Sequence, residues 1–180
     1  VQAIADAKPD AIFNVTFGGD LQKLVREGTT RGLFKDIPVF SVLGGAASSF
    51  KFVKEFPDAA NGIIDCNHWF NPKDKRAAAL RKRVEAKGLF FTYEIFNTYT
   101  AVRLLADAIE RAKSPDRAAI TNALETSTFA DHFMPYGATK FVNGQNEGAQ
   151  PLMTQVIKGD IRVIVPREYR EAEPIFPLRA

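Results

Sequence analysis

At 180 residues, 46% of them hydrophobic and 25% charged, the chain is long enough for one domain with a real core or for two small lobes, and too short for two large domains. Its net charge of +3, with acids interspersed among the bases, argues against a nucleic-acid binder, whose basic residues gather beside exposed aromatics. The single cysteine, Cys66, excludes an intrachain disulfide and any zinc site built from several cysteines, and no apolar run approaches the ~18 residues of a membrane-spanning helix.

Val1 opens directly into an amphipathic helical pattern that ends near Ala7. No signal peptide and no initiator Met precede it, so the chain is expected to be part of a longer protein. Lys8-Pro9-Asp10 then leads into a short apolar run, residues 11–15, which reads as a strand covered on both faces. That strand runs into Phe17-Gly18-Gly19-Asp20, and a helix pattern starts at once over residues 20–31. Asp20 reads as its N-cap, Leu21, Leu24 and Val25 as its inner stripe, and Gly32 as its stop.

A second strand, residues 37–43, ends at another glycine pair, Gly44-Gly45, ahead of the small-residue run 46–49. In a parallel α/β sheet, a strand end that meets glycine and a helix N-terminus is where a ligand sits, because backbone approaches closely there and unpaired N–H groups face outward. Gly18 and Gly19 therefore serve either ligand approach or tight-turn geometry, and residue type alone does not separate the two. The first such loop holds no lysine, histidine, serine or cysteine, so it suits holding a ligand rather than reacting with it.

A third strand, residues 61–66, leads into a polar, aromatic, proline-containing crossing segment over residues 67–72. A charged helix follows over residues 73–85, with Ala77, Ala78, Leu80 and Val84 available for packing; the dense basic stretch here reads as a solvated helix face. The longest helix spans residues 91–112, and its stripe of Ile95, Tyr99, Val102, Leu105 and Ile109 needs a partner surface. Ser114-Pro115-Asp116 places proline at the first position of a further helix, with Ile120, Ala123 and Leu124 facing inward. Residues 132–146 are rich in Gly, Pro and Asn and hold a short strand over residues 139–142. Two β-type runs, residues 150–157 and 161–165, are joined by the tight hairpin signal Lys158-Gly159-Asp160, and Pro166 ends the second.

Lys8-Pro-Asp10, Phe17-Gly-Gly-Asp20, Gly32-Leu33 ahead of Pro38, Asn61-Gly62, Phe91-Thr-Tyr93, Tyr99-Thr-Ala101, Met134-Pro-Tyr-Gly137, Lys140-Phe141 and Asn143-Gly-Gln-Asn146 form a distributed pattern, closed by Gln155-Val156 and Val165-Pro166. With it the chain resembles the C-terminal part of the solute-binding proteins of ABC transporters, in the branched-chain amino acid (Leu/Ile/Val-binding) family, with the type I periplasmic binding protein fold. The resemblance implies an α/β fold. It combines a parallel doubly wound sheet belonging to a second lobe, helices belonging to the other lobe, and a C-terminal β-hairpin. It assigns residues 1–71 to the second lobe, 72–128 to helices of the first, and 129–180 to a crossover and strands that return to the second.

The resemblance further implies a periplasmic protein with no cofactor, which binds a small solute between two lobes and delivers it to the membrane permease of an ABC transporter. The solute class is an amino acid, a carboxylic or aromatic acid, or an amide. Neither nucleic-acid binding nor direct membrane insertion is expected. Phe17 matches an aromatic position that packs over the solute, or else is a core phenylalanine at a strand end. Asp20 is an N-cap or a partner for a ligand ammonium. Leu43 and Gly44 occupy the second strand end, where amino-acid binders place an acid for the α-ammonium; none is present, which favours a solute without that cation. Trp69 lines the cleft mouth or packs at the hinge, and Tyr93, at the start of the long helix, is a further candidate. The other lobe's sheet has no counterpart in the sequence, so the long helix's stripe is expected to drive self-association.

Two other readings stay open. The same fold serves as a ligand-sensing regulatory module. Cys66 and His68, which share a face if the third strand stays extended, could form the nucleophile–base pair of a small α/β enzyme, although no orienting third group accompanies them. Asp65 points to the opposite face and does not complete a metal site with them. No GxSxG elbow, Walker loop or full GxGxxG is present.

Overall fold

The computed structural model describes residues 1–34, 37–42 and 47–176. They divide into two compact units, a sheet unit of Val1–Asn67, Gly88–Thr92 and the chain from Leu152 onward, and a helical unit of His68–Lys87 and Tyr93–Pro151.

The sheet unit begins with α1 (Gln2–Ala7), which Lys8 ends in the left-handed conformation at φ 45°. Three parallel strands follow: β1 (Ile12–Asn14), β2 (Val39–Val42) and β3 (Ile64–Asn67). The antiparallel pair β6 (Leu152–Ile157) and β7 (Asp160–Val165) extends the sheet, giving the order β1-β2-β3-β6-β7. Right-handed crossovers between sequential parallel strands send their helices to one face. There α2 (Gly18–Thr30) meets α4 (Pro57–Ala60), which also packs against α3 (Phe50–Glu55). That face buries Leu21, Val25, Phe52, Val53, Ile12 and Val39.

The expected mixed α/β architecture is present, with differences at element ends. Helix α2 starts two residues ahead of Asp20, because the Phe17 carbonyl accepts from the N–H groups of Asp20 (3.0 Å) and Leu21 (3.1 Å) and so makes Phe17 the cap. Asp20 is instead an acid in the first turn, where the helix dipole favours a carboxylate. Gly32 is left-handed at φ 68°, as a helix stop requires. The third strand starts at Ile64, later than its apolar run predicts, because Pro57 opens the extra helical turn α4 and Gly62 turns the chain at φ 87°. The β6–β7 hairpin has Lys158 and Gly159 at φ 52° and 76°, the positive pair that a two-residue turn matching strand twist needs.

In the helical unit, Asp74 caps α5 (Lys75–Glu85) by accepting from the Arg76 N–H at 2.8 Å. Asp116 caps α7 (Arg117–Glu125) through the Ala119 N–H at 3.0 Å, which leaves Pro115 ahead of the cap rather than at the first helical position. Between them lies α6 (Tyr93–Ala112), which begins two residues later than its periodic pattern. It buries Phe96, Thr100 and Ala108 rather than the stripe of largest aliphatic side chains. Phe96 sets its ring edge-on to Trp69 and Phe70, with centroids 5.5 and 5.2 Å away. Beyond α7, Phe129 and Thr139 form an isolated antiparallel bridge, and β4 (Phe141–Val142) pairs with β5 (Gln145–Asn146). No helix among the described residues is long and apolar enough to cross a membrane.

Candidate functional site

The carboxyl ends of β1, β2 and β3 share one rim, because the three strands are parallel and in register. At the β1 end, Asn14 Oδ1 accepts from Thr16 Oγ1 at 3.0 Å, a local turn that delivers the chain to the start of α2. Phe17 follows with its side chain 80% exposed, so no core claims it. Gly18 and Gly19 are the first residues of the helix, where backbone N–H groups lack intrahelical partners.

Gly19 is helical rather than left-handed, and a Cβ added there meets nothing within 4 Å. The fold therefore places no steric demand for glycine at this position. Asp20 is an exposed carboxylate with Lys23 Nζ at 3.9 Å, a loose surface pair. Phe17, Gly19 and Asp20 are thus exposed around a half-buried Gly18 at the turn into α2. Leu43 and Gly44 lie outside the described residues.

Two sequence candidates belong to the helical unit. Trp69 is 1% exposed and packs in the aromatic cluster with Phe70 and Phe96. Tyr93 is half-buried at the first position of α6, and burial, followed by the charge of Glu94, pushes its phenol above the ordinary value. A concavity of about 540 Å³ in the same unit is lined by Arg103, Asp107, Glu110, Arg111, Phe129 and Asp131. Both arginines there are already paired, Arg111 to Asp107 at 2.9 Å and Arg103 to Asp131, so it offers no uncompensated cation to an anionic ligand.

The nucleophile reading of Cys66 finds no support in its surroundings. Burial, and then the neighbouring Asp65 charge, raises the thiol above its ordinary value, opposite to the shift that activates a cysteine. Among the described residues no group of three or more His, Cys, Asp and Glu is placed to hold a metal ion.

One feature escaped the reading of motifs. Asn14, Ser41, Asp65 and Thr154 are successive register partners across β1, β2, β3 and β6, all on one face and all at most 5% exposed. Ser48, fully buried ahead of α3, joins the row: its hydroxyl donates to Asp65 Oδ2 and lies 3.2 Å from Thr154 Oγ1. Burial holds the Asp65 carboxyl above its ordinary value, against the opposing pull of the hydrogen bond from Ser48. The signal in the sequence is an acid in the middle of the apolar strand Ile63-Ile64-Asp65.

The sequence model of a family described as periplasmic binding protein matches residues 1–160. Among curated proteins none matches. A leucine-binding protein of Thermotoga maritima MSB8 superposes with a TM-score of 0.73 at 18% identity, over 90% of this chain and 45% of its own. An extracellular ligand-binding receptor of Rhodopseudomonas palustris HaA2 gives 0.71 at 22% identity, over 90% of this chain and 49% of its own. A branched-chain amino acid ABC transporter protein of Thermus thermophilus, solved with bound valine, gives 0.71 at 16% identity, over 98% and 49%. The chain spans about half the length of these solved structures.

Proposed function

This chain belongs to the periplasmic binding protein family, and from that premise we propose that it forms part of the substrate-binding component of an ABC importer, located in the periplasm. The turn at residues 17–20 makes one wall of the solute site, and closure of two lobes around the solute presents the loaded protein to the permease. The observation that carries the reading is Gly19, a helical glycine with open space where its Cβ would be, beside an aromatic ring left 80% exposed. Glycine in a helix interior costs roughly 0.5–1 kcal/mol relative to alanine and less in the first turn, where Gly19 sits, and no packing contact offsets that cost here. Close approach of a solute to the helix N-terminus supplies the missing reason.

The solute is an organic acid or amide without an α-ammonium. Asp20 is the acid at the described strand end, and its carboxylate is solvated beside Lys23 rather than held toward a ligand cation. Burying an unpaired ammonium costs several kcal/mol, on the order of what abolishes useful affinity. Neither proton transfer nor a covalent step is required of this site, whose work is binding alone.

Amide NMR spectra of the protein, titrated with benzoate, 4-hydroxybenzoate, leucine and valine, test the proposal. Shifts at residues 17–21 with the aromatic acids are expected. The Gly19→Ala variant should melt slightly higher and lose those shifts. Unchanged shifts in Gly19→Ala would remove the site from this turn, and stronger response to leucine would overturn the solute class.

A further inference from the structure

A strand interior under helices normally carries aliphatic side chains, since each buried hydroxyl or carboxyl costs free energy unless it is hydrogen-bonded. This sheet instead spends four successive register positions on Asn14, Ser41, Asp65 and Thr154. The arrangement is directional. Thr154 Oγ1 lies 3.2 Å from Ser48 Oγ, and Ser48 in turn donates to Asp65 Oδ2, so a chain of hydroxyls ends on the carboxyl. At the other end of the row Asn14 takes the hydroxyl of Thr16, one residue ahead of the cap of α2.

Both ends of the row therefore hold backbone that enters a helix at the carboxyl rim of the sheet. Ser48 is 0% exposed and immediately precedes Ser49, the cap of α3, while Phe52 and Val53 of α3 are buried. Apolar packing alone leaves a short six-residue helix free to slide along a smooth sheet face. A hydrogen bond with one permitted geometry does not.

We propose that Asp65 is a positioning residue that, through Ser48, fixes where the chain enters α3, as Asn14 does through Thr16 for α2. The row sets the rim without touching solute. The inference rests on reading that rim as the solute-facing one, and it accounts for an acid that neither catalysis nor metal binding uses.

Hydrogen exchange of the protein and of its Ser48→Ala, Asp65→Leu and Asp65→Asn variants tests it. Ser48→Ala and Asp65→Leu each strand one partner of a buried hydrogen bond and so lower stability as well, and it is the distribution of the exchange that separates placement from stability. In Ser48→Ala and Asp65→Leu, exchange at residues 47–53 should rise about tenfold or more, while the amides of β3 keep their protection. Asp65→Asn keeps an acceptor oxygen and should restore the parent pattern at residues 47–53. Exchange that rises evenly across the sheet unit, in proportion to lost global stability, overturns the positioning role. So does failure of Asn to rescue. NMR shifts at residues 17–21 in the same samples decide the solute reading separately, whichever way the exchange pattern falls.

Discussion

Asp65 is a carboxyl whose fold raises its proton affinity, and the sign of its contribution to stability follows. Its ordinary value is 3.8, and burial places the folded value above that. Below 3.8 both folded and unfolded chains keep the proton. As pH rises from there the unfolded chain ionises first, so the native state loses stability until pH passes the raised folded value. Asp65→Asn has no proton to lose. The stability of Asp65→Asn minus that of the parent should therefore increase with pH over that window, as read by urea midpoints at several pH values. Asp74 and Asp131 act with the opposite sign, since hydrogen bonds from Arg76 and Arg103 respectively hold them below the ordinary value. Both are present in parent and variant and cancel in the difference. A difference flat across pH would mean that Asp65 titrates alike in both states.

Gly28 makes the opposite case to Gly19 on the same helix. A Cβ at Gly28 would sit 2.2 Å from the ring of Phe34, which is itself 2% exposed and has no free space to retreat into. Gly28→Ala is expected to destabilise by about 1–3 kcal/mol, the usual cost of overpacking, despite alanine's better helix propensity. A chemical-unfolding midpoint at or above the parent's would contradict this packing. Residue type alone gives both glycines the same meaning in the sequence; the neighbouring ring separates them.

At the scale of elements, the three parallel strands, α2 and the β6–β7 hairpin were legible from local chemistry such as the glycine stop at Gly32 and the Lys-Gly turn with two positive φ values. Helices α5 and α7 were legible from their periodicity, while their caps, Asp74 and Asp116, fell one or two residues from the expected starts. What sequence could not supply is the choice between adjacent apolar stripes on α6. Periodicity marks Tyr99, Val102, Leu105 and Ile109, yet Phe96, Thr100 and Ala108 are the buried ones, because Trp69 and Phe70 meet the helix on that side. The buried polar row was illegible for a related reason. Its members lie on four strands far apart in sequence, and only register makes them neighbours.

The stripe left over is exposed at Val102 (60%), Leu105 (45%) and Ile109 (41%). Its partner in the isolated chain is expected to be a second copy, through a weak two-fold contact of these aliphatic side chains. Light scattering should give a mass that climbs with concentration, and Val102→Glu with Leu105→Glu should hold the chain monomeric without lowering its melting temperature. A parent that stays monomeric at high concentration would rule the contact out.

At the scale of the whole molecule, the sheet unit carries the turn at residues 17–20, while this chain matches 45–49% of the solved proteins it resembles. Affinity is a sum over both walls of a site, and that sum is expressed logarithmically. A complete site of micromolar affinity is worth about −8 kcal/mol, and half of that is about −4 kcal/mol, which corresponds to roughly millimolar binding. The chain alone is therefore expected to bind its solute with millimolar affinity at best, seen as fast-exchange NMR shifts at residues 17–21 and as no measurable heat in calorimetry at micromolar protein. Sub-micromolar affinity from these 180 residues would mean that the site is complete within them, and that no further lobe is needed to take the solute's carboxylate.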